Sequence, residues 1–282
     1  MRSDFNIGII GAGRVGSNIA YHLAKAGWHI KSVYSRTKRS AEKLAKEIPT
    51  GAVDTIEDVA RKCDIVFITT PDEQIIPVAE EISELSCVRV KMLVHCAGIF
   101  SSSILAAAGM EILKASMHPF ASIPPLAKDK NPYRGIVFAC EGDVEAMKIV
   151  REMVSDLNGI FFAIDEKVKT LYHSAAVFGA NFIFVLAYIT QTLLERADMD
   201  KKMAHYATTM LMKRALDNYE KIGIPVGITG PIARKDRMVV EAHIDALKDT
   251  EFFQYYIDLS RMLIKMLGIE KEFDLDMMIE KL

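Results

Sequence analysis

The chain lacks the marks of several protein classes. Its four cysteines (Cys63, Cys87, Cys96 and Cys140) form neither a C-x-x-C pair nor a His/Cys cluster. A disulfide framework and a zinc site are therefore not expected, and a reducing, cytoplasmic location is. Net charge is −2 and there is no long basic run. Nucleic acid is thus no expected partner, because binding along a duplex needs a concentrated positive face. Met1 to Asp4 leads straight into an apolar run, without the hydrophobic region of a secretory signal. Acidic and basic residues are both missing from Leu171 to Leu194, a stretch long enough for a bilayer. His173, Ser174, Asn181, Gln191 and two threonines within it would be costly facing lipid. The expectation is a helix buried in a helical domain or a dimer, with no membrane partner. The single tryptophan, Trp28, reads as packing. Internal repeats and low-complexity tracts are absent.

What is present suits a globular protein. Half of the 282 residues are hydrophobic and 26% are charged, enough for one large or two modest cores. The apolar run Asn6–Ile10 is followed at once by Gly11-Ala12-Gly13-Arg14-Val15-Gly16, and then by helical spacing from Ser17 to Lys25. A strand, a tight glycine turn and a helix in that order give G-x-G-x-x-G its meaning as a dinucleotide-binding unit. Gly11 permits the turn, Gly13 lets the backbone approach a pyrophosphate, and Gly16 lets helix and sheet touch. The helix start offers free N–H groups to the anion.

Further strands are expected at His29–Tyr34, around Val53, and at Ile65–Thr69, Lys91–His95, Lys114–Met117, Ile136–Cys140 and Ile160–Ile164. Helices are expected between them, one with Asp72 as its N-cap. This alternation predicts an α/β fold, a doubly wound, mostly parallel Rossmann sheet, over residues 1–164. From Asp165 onward only helices are expected: one to about Arg196, another over Asp200–Ile222, and others starting near Asp236 and Thr250. Residues 165–282 thus form an all-helical domain for substrate binding and dimerisation. Thr229-Gly230-Pro231 reads as an N-cap with a proline just inside a helix.

One further absence selects the nucleotide. NAD-binding units place a carboxylate at the end of the second strand to hold the ribose hydroxyls. Here that position reads Ser35-Arg36-Thr37-Lys38-Arg39. Two hydroxyls and a guanidinium fork suit a 2′-phosphate, so NADP (NADPH) is the expected cofactor.

Several segments together resemble a known family. They are Gly11–Gly16, Ile68-Thr69-Thr70-Pro71-Asp72, His95-Cys96-Ala97-Gly98, Ser116-Met117-His118-Pro119-Phe120, Tyr172–Val177 with Asn181, and Thr229–Asp236. The resemblance is to Rossmann-like oxidoreductases with an uncharacterised helical second domain. Their relatives include ketopantoate reductases, pyrroline-5-carboxylate reductases, prephenate dehydrogenases and deazaflavin-dependent NADP reductases. It implies NADP bound by Gly11, Ala12, Gly13, Arg14, Val15, Gly16, Ser35, Arg36, Thr37, Thr69, Thr70, Pro71, Asp72, His95, Ala97 and Gly98. It also implies a homodimer through interlocking helical domains.

The chemistry expected is hydride transfer between NADPH and a small oxo or hydroxy acid, ketopantoate being the most concrete candidate. Alternatives are reduction of a cyclic imine, a deazaflavin-linked NADP reductase, or an NADP-binding sensor or scaffold without turnover. His118 precedes Pro119, as in His-Pro turns that line the substrate side of the prephenate dehydrogenase relatives. His173 and Asn181 stand eight residues apart, about two helical turns, and so on one side. His173 is the expected proton donor, since its ordinary pKa lies near ~6.5, and Asn181 orients the substrate oxygen. The Lys-Asn pattern of related hydroxyacid dehydrogenases is not matched, because neither Lys167 nor Lys169 stands four residues before Asn181. Arg234, with Thr229, is expected to hold a substrate carboxylate, or else to pair with Asp236.

Overall fold

Strand β1 (Asn6–Ile10) enters the glycine turn, and α1 (Arg14–Lys25) leaves it, in a computed structural model that describes residues 4–109 and 111–280. The chain continues through β2 (His29–Tyr34), α2 (Lys38–Ala45), β3 (Gly51–Ala52), α3 (Ile56–Lys62) and β4 (Ile65–Ile68). Next come α4 (Ile75–Glu84), β5 (Met92–His95), β6 (Leu113–Pro119), β7 (Val137–Gly142), α5 (Val144–Asp156) and β8 (Ile160–Ala163). The eight strands form one sheet in the order 3-2-1-4-5-6-7-8. β1 to β6 run parallel. β7 is antiparallel to β6, and β8 is parallel to β7. The sheet is thus mostly parallel, with a reversed pair at one edge. Its strands are apolar on both faces because helices cover both: β4 and β5 are buried throughout.

Two hydrophobic clusters follow from that arrangement. One face carries Ile7, Ile9, Ile19, Leu23, Phe67 and Phe138, and Trp28 packs there with its indole N–H donating to Asp156 Oδ2 at 2.8 Å. The other carries Ile10, Val59, Val66, Ile68, Val78 and Leu93. Packing is the role of Trp28, and all four cysteines are free thiols.

Several local expectations change. α1 begins at Arg14 rather than Ser17, directly on Gly13. Asp72 does not cap α4; it opens a 3-10 turn over Asp72–Gln74, with α4 starting at Ile75. Pro71, its φ held at −52° by the ring, is the extended residue before that turn, and the chain tightens after it. Val53 follows β3, its N–H donating to Val33 O. The long apolar helix is not continuous. After a short turn at Glu166–Val168 come α6 (Lys169–Ala176), a π-helical turn (Val177–Asn181) and α7 (Phe182–Arg196). The π turn adds a residue per turn, so eight positions no longer equal two α-turns and the side-by-side argument for His173 and Asn181 lapses.

The described residues divide into two compact units, residues 1–181 and 182–282. The switch from strands to helices near residue 164 falls inside the first unit. The second unit holds α7, α8 (Lys201–Ile222), α9 (Arg237–Leu247), α10 (Phe253–Leu267) and α11 (Leu275–Ile279). Its core gathers Val240, Ile244, Ile257, Ile264, Phe273 and Leu275. α9 starts on Asp236, whose Oδ1 accepts the Val239 N–H. Thr229-Gly230-Pro231 starts no helix: the turn after it closes through Arg234 N–H to Gly230 O and Asp236 N–H to Pro231 O. Glu166–Arg196 is the stretch among the described residues long and apolar enough to cross a membrane.

Candidate active site

The strand order reverses direction between β1 and β4, which is where open α/β sheets hold ligands. A cavity of about 380 Å³ lies there. Its walls are Gly11, Ala12 and Gly13 after β1, Tyr34 to Thr37 with Ser40 after β2, Thr69 to Pro71 after β4, and Gln74, Pro77, Val78 and Glu81.

The sequence builds this cavity locally. Gly11 sits at φ +109°, and a Cβ there would lie 2.7 Å from the Thr69 carbonyl group. A Cβ on Gly16 would lie 2.1 Å from Gly11 O. Thr69 locks the two strand ends by donating its hydroxyl to Gly11 O at 2.7 Å. Gly13 faces open space and caps α1 without a side-chain hydrogen bond, so the first N–H groups of α1 remain available to an anion. Thr70 Oγ1 is buried in this wall with no partner, a polar atom that a ligand would satisfy. No carboxylate stands at the end of β2. The single acidic residue of the lining, Glu81, comes from α4. Lys38 points away from this task, since its ammonium pairs with Asp54 at 2.6 Å. These features fit a dinucleotide whose second ribose carries a phosphate.

Of the other residues expected at the cofactor, Arg14 lines a neighbouring cavity. Val15 packs on the core and gives its carbonyl to Tyr133 Oη. Asp72 is exposed outside the groove lining. His95 is fully buried at the end of β5 with both ring nitrogens engaged: Nε2 donates to Ser101 O at 3.1 Å and Nδ1 accepts the Ala97 N–H. Its imidazole holds the loop Cys96–Ser101 and has no free polar atom for a nucleotide.

A second group assembles at the ends of β5 and β6 with α6. His118 Nδ1 bonds Tyr172 Oη at 2.9 Å, and the rings of His118 and His173 meet edge to face at 5.8 Å. The two histidines converge on Gly98. A Cβ there would lie 2.4 Å from His173 Nδ1 and 2.8 Å from His118 Nε2. His173 Nδ1 is buried without a partner. Burial, reinforced by the neighbouring His173, Lys169 and His95, pulls His118 down to about 4. Burial also raises the Tyr172 hydroxyl well above its ordinary value, so it keeps its proton. A Tyr172 hydroxyl that donates to Nδ1 leaves the His118 hydrogen on Nε2, the nitrogen facing Gly98.

Beneath this group lies an ion pair that sequence reasoning missed. Lys169, fully buried, donates to Ser116 Oγ at 2.5 Å and to Glu141 Oε1 at 3.0 Å. Glu141 also accepts the Ser102 N–H at 2.8 Å and the Ser102 hydroxyl at 2.7 Å. Ser116 and Glu141 are directly opposed across the antiparallel β6–β7 pair, which is how one ammonium reaches both. Burial lowers the Lys169 pKa in spite of the carboxylate beside it. Two signals were available: Lys169 precedes His173 by four, one helical turn, and Glu141 is the one charged residue of β7.

Asn181 is exposed at the end of the π turn. Thr229 lines a cavity of about 240 Å³ inside the second unit with His243 and Tyr256, and Arg234 is exposed beyond that lining.

Comparisons with known proteins agree with this architecture. A Rossmann-like domain model matches residues 1–119, and the domain of unknown function DUF2520 matches residues 136–263. The chain therefore joins a Rossmann-like domain to a DUF2520 domain. Protein TM1727 from Thermotoga maritima is similar at 26% identity and TM-score 0.74, covering 94% of this chain and 100% of its own. Protein BF3122 from Bacteroides fragilis, provisionally described as an NADP oxidoreductase, is similar at 22% identity and TM-score 0.75, covering 93% and 98%. Plasmodium falciparum pyrroline carboxylate reductase, solved with NADP bound, shares the fold at 15% identity and TM-score 0.59, covering 95% and 98%. No curated protein matches the chain.

Proposed function

We propose that this protein is a cytoplasmic, NADP-dependent oxidoreductase acting on a small oxo acid or cyclic imine. The observation that carries the reading is the groove at the β1–β4 switch point, which pairs a glycine turn with Ser35-Arg36-Thr37 where an NAD site would carry an acid. The NADP named in the two similar structures supports the same reading. The bound nicotinamide would supply the hydride.

The protein's part is to orient the acceptor and deliver a proton. His173, with its unpartnered Nδ1, is the proton donor. His118, uncharged and held by Tyr172, hydrogen-bonds the developing oxyanion or amine through Nε2. Asn181 is retained as a substrate contact and a second copy of the chain as the partner, whereas Thr229 and Arg234 belong to the second unit, where Thr229 lines a cavity of its own. A cyclic imine is favoured over ketopantoate by the pyrroline carboxylate acted on by the similar reductase.

Titration with NADPH and NADH, followed by oxo acids and cyclic imines with NADPH monitored at the nicotinamide absorbance, tests the reading. NADPH should bind at least tenfold tighter, and Arg36→Ala should remove most of that preference. His173→Ala should lower turnover while leaving NADPH affinity intact. Equal affinity for both nucleotides would reject the NADP site. Tight NADPH binding with no acceptor in the panel turned over would favour a sensor.

A further inference from the structure

Four side chains from four parts of the chain meet beneath the two histidines. The Glu141 carboxylate of β7 accepts the Ser102 N–H and hydroxyl and also the Lys169 ammonium, which donates in turn to Ser116 Oγ. Each partner of Glu141 stands on an element that carries part of the histidine group. Ser116 precedes His118 by two on β6, hence on the same face of the sheet. Lys169 precedes His173 by four on α6, hence on the same face of the helix. Ser102 stands four residues after Gly98 in the segment that leaves β5, and its neighbour Ser101 accepts from His95 Nε2 at 3.1 Å. The ammonium is close enough to be felt at both strand ends. After burial and His173 it helps to pull His118 down to about 4, and after burial it does the same for His95. The Lys169 and Glu141 side chains are 1% and 10% exposed, so they act on the site from behind. A buried ion pair adds little net stability over apolar side chains of the same shape. What this one supplies is orientation, since a single carboxylate ties loop, strand and helix together.

We propose that Glu141 and Lys169 are positioning residues, whose pair fixes His118 and His173 against Gly98 by joining β6, α6 and the segment after β5 at one point. The proposal rests on the reading above of these histidines as the groups that meet the substrate.

The test uses two altered proteins. Lys169→Met combined with Glu141→Gln strands no buried charge, and Ser116→Ala removes one tether while the ion pair stays intact. With an acceptor from the panel, the double variant should lose about ten- to a hundredfold in kcat, the scale of a misplaced reacting group, and bind NADPH within about twofold of the unaltered protein. Ser116→Ala should lose kcat by a smaller factor. Nitrogen-15 spectra of the histidine rings add a readout that needs no substrate. The unaltered protein should hold His118 as one tautomer with its hydrogen on Nε2, and both variants should show a mixture. Full turnover with a single tautomer overturns the proposal, and so does a loss of kcat in which the single tautomer survives. Should the double variant not fold, Ser116→Ala decides by the same two outcomes. Failure of the parent reading looks different: the tautomers would mix in the variants while kcat stayed unchanged, or no acceptor would be turned over by the unaltered protein.

Discussion

At the scale of single residues, Gly98 is tightly constrained by the two histidines of the candidate site. Any side chain would enter the space between His173 Nδ1 and His118 Nε2, with both nitrogens under 3 Å from the new carbon. Gly98→Ala must push one imidazole aside, and a displacement near 1 Å costs roughly a hundredfold in rate. The expected outcome is a loss of that order in kcat with NADPH affinity unchanged, read from steady-state kinetics and a separate binding titration. Unchanged turnover would remove the two histidines from the chemistry. His118, His173 and Gly98 were each legible in the sequence, because histidines and glycine at strand and helix ends draw attention. Their convergence was not, since the three lie on separate elements joined only by the tertiary fold. His95 misled for the same reason: nothing local reveals that both its nitrogens are already taken.

At the scale of elements, the ends of β5 and β6 carry a pH dependence. Burial, and next the Lys169 charge, hold His95 down to about 4, against an ordinary value of 6.5. A depressed folded-state pKa means that the unfolded chain takes up the proton first. The contribution is therefore whole above pH 6.5, falls as pH drops toward 4, and levels below that. For His95 it amounts to about 3 kcal/mol, and His118 acts in the same direction. Urea midpoints should fall between pH 7.5 and pH 4.5, and His95→Gln should shrink the difference. A flat profile would show that neither imidazole is held neutral by the fold. The strands themselves were readable from their apolar runs and glycine punctuation. The reversal of β7 was not, because alternation reports a strand and not its direction. Residues 120–136, between β6 and β7, are long enough for either return. The π turn was hidden as well, as Val-Phe-Gly-Ala-Asn is apolar enough to pass for continuous helix.

At the scale of the molecule, the longest apolar segment has no cover of its own. α7 contains no buried residue, with Phe184 74% exposed and Tyr188 63% exposed. α8 adds Tyr206, Leu211, Leu216 and Tyr219 to the exposed apolar side chains. Patches of this kind mark an interaction surface, and a second copy of the chain is the occupant the proposed function includes. Light scattering on the eluting protein should give twice the mass of 31.5 kDa. Phe184→Glu should shift it to one chain without loss of secondary structure. A monomeric parent protein, or one recovered with the lipid fraction, would assign the surface elsewhere. The apolar stretch was visible in the sequence, but its exposure was not, because hydropathy alone does not distinguish an internal helix from an interface.

The ion pair under the histidines carries a lesson for anyone dividing this chain. Trimming it at Ile164, where the last strand is finished, would discard Lys169 while keeping Glu141 and Ser116. The severed fragment would keep Glu141 without its ammonium partner, leaving the Ser102 hydrogen bonds on the carboxylate. Proteolytic or recombinant pieces of the sheet half should therefore keep α6 attached.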